Sequence, residues 1–211
     1  MKTTIVYDNT AFRPDLQADW GFSSLVEVHG RRILFDTGAR GEILLANMNA
    51  LMIDPGSIDD IFISHGDFDH CGGLPVLLER TTNVTVWLPR SYPHAPGATK
   101  CVVVDGPRKL YDGLYSTGEL ANIEQSLCVE TRKGIVIIAG CSHPPMERII
   151  ETASAFGPLH GIIGGLHGNS PESLTVYTMI CATHCTLYKE EIRILYPEKH
   201  IEGGAGKVIE I

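Results

Sequence analysis

The chain has 211 residues, of which 44% are hydrophobic and 20% charged, and its formal net charge is −8. That length suits one domain spanning 1–211 with a substantial core. The acidic balance disfavours nucleic acid as a partner, because phosphate neutralisation needs a lysine and arginine surface, and the absence of any run of about 18 apolar residues disfavours a membrane span.

In chain order, "TTIVYDNT" reads as a first strand. It lacks a secretory apolar block with a cleavage site, so the expected location is cytoplasmic. "SSLVEVHG" and "RILFDTG" alternate like strands, and "HGRR" between them makes a tight turn, which together predict a hairpin. "GEILLANMNALMI" carries apolar residues at helical spacing until "DPGSIDD" breaks it. "IDDIFIS" is a nearly continuous apolar strand, as expected where both faces are covered. "LPVLLER" is read as a short helix and "NVTVWLP" as another strand.

Residues 91–127 hold many of the prolines and glycines and are expected to form a loop-rich lid or substrate-binding segment. "QSLCVETRKGIVIIAGCSH" predicts a hairpin turning at Lys133–Gly134, and "PPMERIIETASAF" a helix with proline in its first turn. "LHGIIGGLHG" reads as a strand. "SPESLTVYTMICAT" opens as a helix with Ser170 at the N-cap and Pro171 at the first helical position, and its tail "MICAT" reads as a strand. The remainder is expected to be helix, then strand. Strands first, then strands alternating with helices, predict two sheets with helices packed outside.

The polar clusters fall just after apolar strands. "RILF" delivers Asp36, "DIFIS" delivers His65, Asp67, Asp69 and His70, "IVIIAG" delivers Cys141 and His143, "HGIIGG" delivers His167, and "MICAT" delivers His184 and Cys185. Rigid strand ends converge side chains from distant sequence on one cleft. Imidazole nitrogens and carboxylate oxygens are ligands for zinc, iron or manganese. Four ligand-type residues in six positions are better explained by one or two divalent transition metals than by an acidic loop capping a helix. The six cysteines are scattered with no C-x-x-C pair, so free thiols are expected, Cys181 and Cys185 among them. Cys71 reads as a packing residue, and Trp20 and Trp87 as core.

"SHGDFDHCGG" resembles the second motif of the metallo-β-lactamase superfamily, His-x-His-x-Asp-His followed by glycines, and "FDTG" is similar to its first motif. Within it, "DNTA" at 8–11, "WGFSSLVEVHGRRILFDTG" at 20–38, "YSTGEL" at 115–120, "GCSHP" at 140–144, "GGLH" at 164–167 and "THCT" at 183–186 resemble the dihydropterin-ribofuranosylaminobenzene phosphate synthase-like branch. The resemblance implies an α/β fold, a metallo-β-lactamase-like αββα four-layer sandwich. It implies that His65, Asp67 and His143 serve a first metal, and that Asp69 and His70 serve a second. His184 or His167 closes the ligand set; the expectation is His184, with His167 facing substrate. Cys141 falls where many relatives have a bridging aspartate, and Asp36 is expected to orient the ligand loop. Asp67 departs from the family's usual histidine, adding charge and a harder ligand, which favours iron or manganese more than histidine would.

The activity this implies is metal-dependent hydrolysis of an ester, phosphoester or related small molecule, with Asp69 and His167 as catalytic candidates. Arg108, Lys109 and Tyr115 are candidates for holding a phosphate or oxyanion on the substrate. Two alternatives stand beside it: a pterin-type synthase acting on phosphorylated substrates, and a metal-binding module without turnover.

Overall fold

The strand sequence Asp60-Ile61-Phe62-Ile63 is buried at every position. Successive strand side chains point to opposite faces, so such a strand needs an apolar layer on each side. Ile61 and Ile63 enter one core cluster, and Phe62 enters another. The same division holds at Leu34 against Ile33 and Phe35, and at Ile135 and Ile137 against Val136 and Ile138.

A computed structural model describes residues 1–211. The strands are β1 (Lys2–Tyr7), β2 (Ser23–Val28), β3 (Arg31–Phe35), β4 (Asp60–Phe62), β5 (Thr85–Pro89), β6 (Lys100–Val104), β7 (Arg108–Tyr111), β8 (Leu114–Ser116), β9 (Leu127–Thr131), β10 (Gly134–Ala139), β11 (Leu159–Gly165), β12 (Met179–Thr183) and β13 (Val208–Glu210). The helices are α1 (Gly41–Ala50), α2 (Phe68–Cys71), α3 (Leu74–Leu78), α4 (Met146–Ser154) and α5 (Lys189–Leu195). One sheet has the order β13-β1-β2-β3-β4-β5-β6, the other β12-β11-β10-β9-β8-β7.

Phe35, Phe62, Trp87, Val136, Ile138 and Ile163 belong to the layer between the two sheets. Leu44 and Met48 of α1 and Leu74 and Leu77 of α3 cover the outer face of the first sheet. Met146, Ile149 and Ala153 of α4 and Ile192 of α5 cover that of the second. The result is the expected αββα sandwich. No helix is long and apolar enough to cross a membrane.

Three segments depart from expectation. Residues 91–127 contain three strands: β6 ends one sheet, and the β7–β8 hairpin ends the other. Val104 and Leu114 bury themselves in the inter-sheet core, so burial overrides the turn-rich composition. After Ser170 the chain makes only a 3-10 turn, Pro171–Leu174, before β12. The Ser170 hydroxyl goes to the Glu172 carboxylate and makes no cap bond. Helix α4 starts after its prolines, with Pro145 at the cap, and the Met146 N–H donates to the Asn169 side chain instead.

Strands β3, β4, β5 and β6 run parallel, as do β10, β11 and β12. Their C-terminal ends deliver Asp36, Ser64–His70, Gly140–His143, His167 and His184 to one edge of the sandwich.

Candidate metal centre

Two ligand groups form at that edge. His65, Asp67 and His143 bring one donor atom each within 4.8 Å of the others, and Asp69, His70 and His184 do the same. His70 Nε2 lies 3.2 Å from His184 Nε2, and Asp69 Oδ2 lies 3.4 Å from His184 Nε2. Cys141 stands between the groups: its sulfur clusters with His65 and His70 on one side and with His184 and Cys185 on the other. His70 Nε2 is 3.1 Å from Cys141 Sγ.

Each imidazole is held from behind at Nδ1. The Asp36 carboxylate, fully buried, accepts from the Ser64 N–H at 2.7 Å and the Ser64 hydroxyl at 2.7 Å, and faces His70 Nδ1 at 2.7 Å. With its proton given to Asp36, the Ser64 hydroxyl accepts from His65 Nδ1 at 2.8 Å. His65 Nε2 is then a bare lone pair, buried and without a hydrogen-bond partner. Asn9 fixes His184: its Oδ1 accepts from the Gly21 N–H, so it also accepts from His184 Nδ1 at 2.9 Å. His143 Nδ1 faces Glu124 Oε2 at 3.1 Å. Nε2 of each ring is left to face the cluster.

The electrostatics divide the rings: the hydrogen bond with Glu124 outweighs burial and raises the His143 pKa. Burial lowers the His65 pKa and takes that of His70 down to about 4, which keeps both rings neutral. Burial opposes ionisation of Asp69, but the hydrogen bond with His184 and the nearby imidazoles outweigh it and hold the carboxylate below its ordinary range. Burial pushes the Asp36 carboxyl up to about 8, against the pull of His65 and the Ser64 donors. A buried orphan imidazole nitrogen, two rings kept neutral by burial, and interleaved carboxylates and thiols fit a divalent transition metal.

Backbone strain marks the same edge. Asp36, Ser142, His167 and His184 all have φ between 45° and 56°, a left-handed region that non-glycine residues rarely occupy. All four follow strand ends.

Glu124 is the residue that sequence reasoning missed. Its buried carboxylate accepts the backbone N–H groups of Gly140, Cys141, Ser142 and His143, all at 2.9–3.1 Å. A lone glutamate in "NIEQSL" gives no sign of this, because its partners are main-chain groups. Asp8 and Asn9, within the "DNTA" match, hold the His184 loop: Asp8 accepts from the Thr183 hydroxyl, and the Asn9 amide donates to the His184 carbonyl.

His167 is exposed, with its ring 5.1 Å from that of His143, beside the cluster and outside both ligand groups. Arg108, Lys109 and Tyr115 are not brought to the cluster. They lie on β7 and β8, two or three strands and about 10–14 Å across the sheet from β10. Lys109 pairs with Asp112, while the Tyr115 hydroxyl bonds to Glu130 and its ring stacks on Phe156. Trp87 is core as expected, but Trp20 is 59% exposed and its ring stands 5.4 Å from His184. A cavity of about 310 Å³ opens beside the first group, lined by His65, Gly66, Asp67, Tyr92, Asn122 and Ile123 among others.

Residues 20–105 match the profile of the metallo-β-lactamase superfamily. Over 98% of its length the chain is 25% identical to the 7,8-dihydropterin-6-methyl-4-(beta-D-ribofuranosyl)-aminobenzene-5'-phosphate synthase of Methanocaldococcus jannaschii, covering 95% of that protein. In structure it is similar to a metal-dependent hydrolase of the β-lactamase superfamily, with a TM-score of 0.81, 22% identity and coverage of 100% of this chain and 99% of that one. It is also similar to zinc-bound PqqB of Methylobacterium extorquens, with a TM-score of 0.70, 13% identity and full coverage of both chains.

Proposed function

We propose that this chain, which belongs to the metallo-β-lactamase superfamily, is a metal-dependent hydrolase acting on an ester, phosphoester or related small molecule. The observation that carries the reading is the orphan Nε2 of His65, a buried lone pair aimed into a cluster of imidazoles and carboxylates. Such a group is costly unless something accepts the lone pair.

His65, Asp67 and His143 would hold one ion, and Asp69, His70 and His184 a second, with Cys141 between them. Divalent metal bound there supplies Lewis acidity and makes water acidic enough to attack an electrophile near neutral pH. The chain's own residues do the rest. Asp69, ionised and partly exposed, is placed to take a proton from the attacking water while remaining beside His184. His167, on the exposed side of His143, can donate to an oxygen that gains charge. The cavity at Tyr92, Asn122 and Ile123 gives the substrate a wall beside the first group.

The pterin-type synthase is the second reading, and similarity to the M. jannaschii enzyme along the chain supports it. It calls for cations at a phosphate. Arg90 is the better candidate for that role than Arg108 or Lys109, because it donates to Asn122, a residue lining the cavity.

The test is turnover on a panel of carboxylic esters, lactones, thioesters and phosphodiesters, beside a pterin diphosphate with a ribosylated aminobenzene phosphate. Chelator-sensitive hydrolysis that Asp69→Asn lowers by orders of magnitude supports the hydrolase. Product formed only from the pterin pair supports the synthase. No turnover on either, by protein loaded with metal, leaves a metal-binding module.

A further inference from the structure

We propose that Cys141 and Cys185 are metal ligands, so that the inner metal position of this chain is a mixed nitrogen–sulfur site completed by His70 and His184. The inference rests on the reading that the cluster takes metal, and concerns which of its donors are used.

The sulfurs of Cys141 and Cys185 and a ring nitrogen of His184 lie within 4.8 Å of one another. His70 Nε2 joins them, 3.1 Å from Cys141 Sγ and 3.2 Å from His184 Nε2. Two imidazole nitrogens and two sulfurs are a donor set suited to a thiophilic divalent ion.

The fold makes room for the second sulfur. A Cβ placed on Gly165, at the end of β11, would come within 2.4 Å of the Gly140 carbonyl oxygen, 2.7 Å of Cys185 Sγ and 3.2 Å of the Cys141 Cα. Glycine at that position lets the thiol of Cys185 lie against the strand beside Cys141. Cys141 itself is fixed through its backbone N–H by Glu124. Of the other buried cysteines, Cys128 and Cys181 sit in apolar core clusters, and the Cys71 thiol donates to the Gly66 and Asp67 carbonyls.

The two positions then differ in softness. Asp67 gives the outer group a hard oxygen at a 65% exposed side chain, while the inner group is sulfur-rich, with Cys141 and His184 buried and Cys185 half-buried. Zinc, cadmium or cobalt should fill the inner position ahead of manganese or magnesium. Each thiol that coordinates releases its proton to solvent.

The test is cadmium titration of the full chain, freed of metal under reducing conditions, with binding followed by dialysis and by the ultraviolet thiolate-to-cadmium charge-transfer absorption. We expect the band to saturate with the first equivalent. Cys141→Ser and Cys185→Ser should each remove about half of it and the double variant all of it, with exposed Cys101→Ser as a control that changes nothing. A wild-type spectrum without the band is decisive even if a variant fails to fold. Cadmium bound without the band, or a band that persists in the folded double variant, overturns the thiolate assignment and leaves the metal-dependent reading standing. No bound cadmium at all removes both.

Discussion

Glu124 grips His143 at two points, accepting its backbone N–H at 2.9 Å and facing its ring Nδ1 at 3.1 Å. The same carboxylate takes three further backbone N–H groups, from Gly140, Cys141 and Ser142. One side chain from the segment before β9 therefore shapes the loop after β10 and sets the tautomer of a ligand candidate. Replacing Glu124 with glutamine leaves two of its acceptor positions as donors. We expect Glu124→Gln to cost about 3 kcal/mol in chemical denaturation and to weaken metal binding about 10–100-fold by isothermal titration. Unchanged values on both counts would refute the role.

Acid should release the same grip. Burial would raise the Glu124 pKa, but the bonds with His143 and the loop amides outweigh it and lower it to about 2 from an ordinary 4.5. A carboxylate depressed in the folded state contributes stability that is fully present above its unfolded pKa and is lost as pH falls through the folded one. The metal-free protein should therefore lose stability between about pH 5 and pH 2. The size, from the depression, is about 3 kcal/mol. Glu124→Gln should flatten that part of the profile, as read by urea denaturation at each pH.

Asp36 ties both ligand groups to one carboxylate, through His70 directly and through Ser64 to His65. Asp36→Asn presents an amide that cannot accept from all of these donors at once. The expected outcome is weaker binding at both metal positions, about 10–100-fold each. Loss at one position alone would mean that the Ser64 relay does not orient His65.

Asp67 is the exposed oxygen of the outer group, with its Oδ2 3.5 Å from His65 Nε2. Asp67→His should raise the preference of that position for zinc over manganese, because imidazole is the softer ligand. Competition titrations with the two metals read this directly, and an unchanged ratio would show that Asp67 is not a ligand.

Phe62 stacks on Phe35 with ring centroids 5.4 Å apart between the sheets. Phe62→Ala should cost about 3–5 kcal/mol. Thermal unfolding would show it as a drop in Tm.

The fold was legible because its strands carry their message in periodicity. "IFI" at 61–63 and "GIVIIA" at 134–139 are apolar throughout, and strands so written must lie between two layers. The ligand candidates were legible because each follows such a strand. What was not legible came from partners without a sequence signature. Glu124 binds main-chain N–H groups that every residue possesses. Arg108, Lys109 and Tyr115 sit in a turn-rich segment whose few apolar residues pull it into the sheet edge, carrying them away from the cluster. Cys185 reads as an isolated thiol until β12 sets it beside Cys141. Trp20, an aromatic that composition assigns to the core, is held at the surface next to His184.

The most direct test of the account is the metal content of protein purified without chelator, measured by elemental analysis against chain concentration. Two equivalents of transition metal per chain are expected, with His65→Ala losing one and His70→Ala the other. A chain that carries no metal, even after reconstitution with zinc, iron or manganese, would contradict it.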